Sequence, residues 1–136
     1  MDIYYEMQQR KSRIEALNTE NAALLRKIAT LEDADNKAAE KSRQLEGLRN
    51  DLESIAGHVR NHKDTSSILM GFTEEIHSII CGNTANQSEQ DLLSVRGEAR
   101  TQIECAEYQI SQNKVTISKL EEEIRQLQVE SAEVQS

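Results

Sequence analysis

His58 and His62 stand four residues apart, and His77 and Cys81 repeat that spacing, so four side chains able to ligate zinc flank one stretch of a 136-residue chain. Residues at i and i+4 share a helical face, and zinc takes four N or S donors in a tetrahedron. Spacing alone does not bring the two pairs together, and solvated histidines are common on charged helices. The expectation is therefore no metal and no other cofactor, with His58, His62, His77 and Cys81 as the candidate ligands. Glu121-Glu122-Glu123 could imitate paired catalytic carboxylates, but consecutive helical residues point apart, so the run reads as a solvated face. A phosphate-cradling glycine loop, a nucleophile elbow and an acid-base pair in a pocket are all missing. Three tyrosines and one phenylalanine give bases no stacking platform. The sequence predicts no catalytic residue and no enzyme.

The elements that would position these side chains are legible in the apolar pattern. Ile3, Leu17, Leu24, Leu31, Ala38, Leu45, Leu52 and Val59 fall at one heptad position; Ile103, Ile110, Ile117 and Ile124 form a second series, joined by Ala99, Ala106, Leu120 and Leu127. A sustained 3-4 spacing puts a narrow apolar seam along a helix, which is stable only when another helix covers it. With no proline to interrupt it, a first helix is expected over about 3–62. Asp64 to Ser67 supplies cap-forming residues for a short apolar helix over 66–81, either an elbow or an extension of the first helix. Gly82-Asn83 reads as a stop through a left-handed residue, 83–88 as a loop, and 89–134 as the last helix. The fold class expected is all-α: one elongated domain over 1–136, a long antiparallel coiled-coil helical hairpin with a short apolar helical elbow.

Composition narrows the function classes. Only 3% of residues are aromatic and 29% are charged, which suits a thin striped core and not a deep pocket. The net charge of −8 repels phosphate backbones and anionic headgroups, so no nucleic acid and no membrane insertion are expected. The longest apolar run, Ile68-Leu69-Met70-Gly71-Phe72, is too short to span a bilayer, and no basic-then-apolar leader opens the chain. A cytoplasmic location is expected, with signal-less export alongside a partner left open.

Register follows from the polar interruptions. Pairing Leu24 with Ile124, Ile28 with Leu120, Leu31 with Ile117 and Leu45 with Ile103 sets Asp35 opposite Asn113, so two polar breaks share one layer. Such pairing avoids the ~1–3 kcal/mol cost of a buried polar group without a partner. It also places the fold-back near Glu74. Asn21, at an a position, is a further register device. The expected interface residues are Leu17, Leu24, Ile28, Leu31, Leu45, Leu52, Leu69, Phe72, Ile76, Ile80, Ile103, Ile110, Ile117, Leu120 and Ile124, because a two-helix pair leaves apolar flanks that more helices should cover. Tyr4, Tyr5 and Met7 cluster at the N-terminus, either capping the helix ends or anchoring a partner.

This arrangement resembles the small helical partner proteins of LXG toxins, which are associated with type VII secretion and related in shape to WXG/ESX hairpins. The likeness lies in the opening Ile3-Tyr4-Tyr5, a long coiled helix, a central turn-like segment and a second coiled helix. Leu69-Met70-Gly71 stands where that superfamily carries Trp-x-Gly, with leucine in place of the tryptophan. Tyr108 is followed four residues on by Gln112, so the Tyr-x-x-x-Asp/Glu export signal is not present at that position. The resemblance implies an accessory or targeting chaperone that binds the helical N-terminal domain of a toxin; a second small helical subunit or a homodimer is the further partner left open. The alternative is a self-assembling structural coiled coil, either a dimer of hairpins or a parallel rod.

Overall fold

The computed structural model describes residues 2–61 and 67–135. These residues form three helices, α1 (Ile3–Asn61), α2 (Ser67–Cys81) and α3 (Asn83–Gln135), and no strand. The protein is all-helical. α1 begins where Asp2 caps it: the Asp2 carboxylate accepts the Tyr4 amide at 3.0 Å, and the Asp2 carbonyl accepts the Glu6 amide. The next 59 residues contain no proline and are rich in Ala, Leu, Glu, Lys, Gln and Arg, so nothing removes a backbone donor along the helix. The expected α2 caps Asp64, Thr65 and Ser66 lie outside the described residues.

The chain divides into two compact units. In the first, Met1–Leu31 with Thr101–Ser136, the start of α1 packs against the end of α3. Partners descend along α3 as they ascend along α1: Arg10 meets Glu123, Asn21 meets Asn113, and Ile28 packs against Ile110 and Ala106. The segments are therefore antiparallel. Leu17, Ile28, Ala106, Ile110, Ile124 and Leu127 are its buried apolar residues.

The second unit, Glu32–Arg100, holds the rest of α1, all of α2 and the start of α3. Here Arg60 faces Glu74, Glu53 faces His77, Arg49 reaches the Ile80 carbonyl and Glu89, and Asp35 meets Arg96. The chain thus already runs antiparallel to α1 from α2 onward, so the expected fold-back near Glu74 is replaced by a return that is under way by then. The predicted loop at 83–88 is likewise corrected, because α3 begins at Asn83. A single residue, Gly82, separates α2 from α3, and its carbonyl accepts the Asn86 amide at 3.0 Å, which makes it the N-cap of α3.

The left-handed stop expected at Gly82-Asn83 is not the mechanism, since no described residue has positive φ. Gly82 is needed for a different reason. A Cβ at this position would lie 2.1 Å from the Ser78 carbonyl oxygen, a backbone atom that cannot swing aside. By contrast, a Cβ at Gly47 would meet nothing within 4 Å. Gly82→Ala is expected to destabilise the protein by about 1–3 kcal/mol through overpacking, while Gly47→Ala stabilises it by about 0.5–1 kcal/mol. Chemical denaturation of the two variants checks the opposite signs.

Candidate functional site

Each unit carries polar contacts between its helices, and these fix which residues face outward. In the first unit Asn113 donates its side-chain amide to Asn21 Oδ1 at 2.8 Å, and both residues are buried, at 4% and 9% exposure. Gln109 donates to Asn113 Oδ1 at 2.9 Å, so that acceptor is satisfied too. At the rim Arg10 donates to Glu123 at 2.8 Å and to the Glu6 carbonyl at 3.2 Å.

This pairing corrects the expected register. Asn113 meets Asn21, two heptads nearer the N-terminus than Asp35. Asp35 instead accepts Arg96 Nε at 2.8 Å with Arg100 3.9 Å away, inside the second unit. The pairings of Leu24 with Ile124, Ile28 with Leu120 and Leu31 with Ile117 shift with it, and Ile28 packs with Ala106, Ile110 and the half-buried Leu24 and Ile103, while Leu45 and Ile103 fall in different units. The physical reason is that a carboxylate is better matched by a guanidinium than by an amide, while two amides offer each other one donor and one acceptor. Treating both breaks simply as polar lost that distinction.

In the second unit Arg49 joins all three helical segments. Its guanidinium donates to the Ile80 carbonyl at 3.4 Å, to Asn86 Oδ1 at 2.8 Å and to the Glu89 carboxylate. The fork geometry of arginine permits these three acceptors at once. Four residues further along α1, the Glu53 carboxylate hydrogen-bonds His77 Nε2, and Cys81 Sγ lies 4.0 Å from the same carboxylate oxygen. The His77 contact holds the Glu53 carboxyl below the usual carboxylate range, first through that hydrogen bond and then through charge.

Of the four candidate metal ligands, the structure therefore joins His77 and Cys81 and adds Glu53. His58 is not among the clustered donors, and His62 lies outside the described residues. Glu53 was invisible in the sequence because its place depends on how α2 aligns with α1, which no spacing rule reports.

The expected interface residues divide by burial. Leu17, Ile28, Ile110 and Ile124 are buried, while Leu24, Leu31, Ile103, Ile117 and Leu120 are half-buried in the first unit. In the second, Leu45, Leu52, Ile76 and Ile80 are half-buried, and Leu69 and Phe72 are exposed. Ile68 and Ile79, outside the expected set, are more exposed than either. Ala56, Ala85 and Thr73 are buried there although their small side chains carried no heptad signal. Tyr4 and Tyr5 are exposed, with Gln9 donating to the Tyr5 hydroxyl.

Two depressions among the described residues, one lined by Glu122, Arg125, Gln126, Val129, Glu130 and Glu133 and the other by Tyr5, Gln8, Gln9, Ser12 and Arg13, each lie along a single helix. No described helix is long and apolar enough to cross a membrane.

No family model matches this chain, and no curated protein or solved structure matches it either.

Asn113→Leu is expected to cost about 1–3 kcal/mol, because it leaves the buried Asn21 amide facing a hydrocarbon. Replacing both asparagines with leucine should recover most of that loss, giving a coupling free energy in a double-mutant cycle measured by urea denaturation. In the second unit Arg49→Met should destabilise by about 1–2 kcal/mol, reduced from the full value of charge-assisted hydrogen bonds by partial exposure. Arg49→Lys should fail to restore it in the same assay, since a single ammonium cannot reproduce the fork.

Proposed function

We propose that this chain is a non-enzymatic helical binding protein, an antiparallel coiled-coil hairpin whose second unit receives an apolar helix from a partner. One observation carries the reading: the second unit is apolar on the wrong side. Its buried residues are small or polar, namely Ala38, Ala56, Thr73, Ala85 and Ala99. Among the described residues none of its large apolar side chains is fully buried, and several are exposed. On α2 Ile68 is 85% exposed, Phe72 58% and Ile79 70%, while Thr73 is 7% exposed and donates its hydroxyl to the Leu69 carbonyl.

Ile68, Phe72 and Ile79 are four and seven residues apart, so they share one face of α2. Leu48 and Ile55 of α1 and Leu93 and Val95 of α3 are exposed in the same unit. Isolated exposed apolar residues are ordinary, but a helix that leaves Ile68, Phe72 and Ile79 exposed on one face while burying a threonine presents a surface suited to cover by a partner. Covering three such side chains is worth roughly 1.5–3 kcal/mol each before the cost of ordering a partner. A partner helix with its own apolar stripe supplies that cover, as in helix-in-groove recognition.

The likeness to LXG-associated proteins names a candidate partner, the helical N-terminal domain of a secreted toxin, which this chain would hold as an accessory or targeting chaperone. Co-expression with a large protein encoded beside it, followed by calorimetry, tests the pairing. Ile68→Glu, Phe72→Gln and Ile79→Glu together should leave helicity and melting temperature unchanged. They should weaken partner binding at least about a hundredfold. A triple variant that melts well below the parent would mean the face belongs to the protein's own core, and equal binding by both would remove it as the contact surface. Concentration-dependent homodimers in sedimentation, lost in the triple variant, would select the self-assembling coiled coil instead.

A further inference from the structure

We propose that Glu53, His77 and Cys81 form a zinc site that fastens the last turn of α2 to α1. The inference stands apart from the partner-binding reading and uses a different face of α2. The three donor atoms, a carboxylate oxygen, an imidazole nitrogen and a thiol sulfur, lie within 4.8 Å of one another. His77 and Cys81 are one helical turn apart at the end of α2, so they project from one face, and Glu53 reaches them from α1.

A chelate of this kind combines a short-range pair with one distant ligand, so the metal bridges two elements. Zinc accepts this mixed set, with three protein ligands and a fourth position for water or an incoming group. Thiolate and imidazole together favour zinc over magnesium or calcium, which take oxygen donors.

Tetrahedral coordination with bonds of 2.0–2.3 Å needs donors roughly 3.3–3.7 Å apart. The Glu53 oxygen is 4.0 Å from Cys81 Sγ and already hydrogen-bonded to His77 Nε2. Closing the set requires small rotations of the Glu53, His77 and Cys81 side chains, none of which is fully buried. The Glu53 side chain is more than half exposed and that of His77 about a quarter, so neither is locked in a dry interior. Arg60 is a nearby cation that acts against a metal, and it faces Glu74 at 4.0 Å.

On binding, zinc replaces the hydrogen bond between His77 and Glu53 with a bond to each, and the Nε2 proton of His77 leaves for solvent, with Nδ1 holding the ring's remaining proton. The Cys81 thiol ionises and its proton passes to solvent. Because the three ligands come from two helices, the binding free energy adds to the stability of the α1–α2 contact.

The test uses the full reduced chain and cobalt(II) as a spectroscopic probe for zinc. One equivalent should produce a thiolate-to-cobalt charge-transfer band that zinc bleaches. Cys81→Ser should abolish the band, while His77→Ala and Glu53→Gln should each weaken binding roughly tenfold or more. Cys105→Ser and His58→Ala should leave it intact. Circular dichroism of each metal-free variant confirms that it folds. In the parent protein, zinc should raise the melting temperature and slow alkylation of Cys81 but not of Cys105. Unchanged affinity in the Cys81→Ser, His77→Ala double variant overturns the site, as does equal protection of both cysteines. Dependence on His58 with a silent Glu53→Gln overturns the donor set.

Discussion

A seam that repeats every seven residues can be paired in several registers a heptad apart, and every one of them buries Leu, Ile and Ala against Leu, Ile and Ala. The pairing in each unit therefore depends on its polar contacts. In the first unit the deciding contact is the buried hydrogen bond between Asn113 and Asn21, supported by Gln109. In the second it is the Arg96–Asp35 pair together with the Arg49 fork on Ile80, Asn86 and Glu89. The stability of the seam comes from apolar burial, but its alignment comes from matching donors with acceptors and charges with countercharges.

Alignment then determines the surface. Once α1 and its return segments are set, alanines and Thr73 face inward in the second unit, and Ile68, Phe72 and Ile79 are left outside. Small residues bring backbones close together but bury little area, so this unit gains less from its own packing than the first, where Leu17, Ile28, Ile110, Ile124 and Leu127 are buried. The same alignment places Glu53 beside His77 and Cys81. An exposed apolar face and a donor cluster are thus both consequences of register, on opposite sides of one short helix.

The glycine between α2 and α3 illustrates how a correct location can carry a wrong mechanism. Gly82 does mark the boundary, as a Gly-Asn dipeptide suggests, yet it neither adopts positive φ nor opens a loop over 83–88. It allows the Ser78 carbonyl to approach where a side chain would collide, and it caps the following helix with its own carbonyl. A sequence rule reports that glycine is favoured there without saying which freedom is used.

By itself the sequence determined that the described chain is helical, because the absence of proline and the 3-4 apolar spacing permit little else, and it located the break at Gly82 from local chemistry. It also identified Leu17, Ile28, Ile110 and Ile124 as seam residues, since periodicity reports which face of a helix is apolar. Only the tertiary structure decided that Asn21 meets Asn113, that Asp35 is held by Arg96, and that Glu53 joins His77 and Cys81. It also decided that the apolar face of α2 is divided, with Ile76 and Ile80 half-buried and Ile68 and Ile79 outside. The physical reason is common to all four: heptad shifts leave local patterns unchanged, so contacts between distant segments are set by pairwise polar chemistry that no single helix contains.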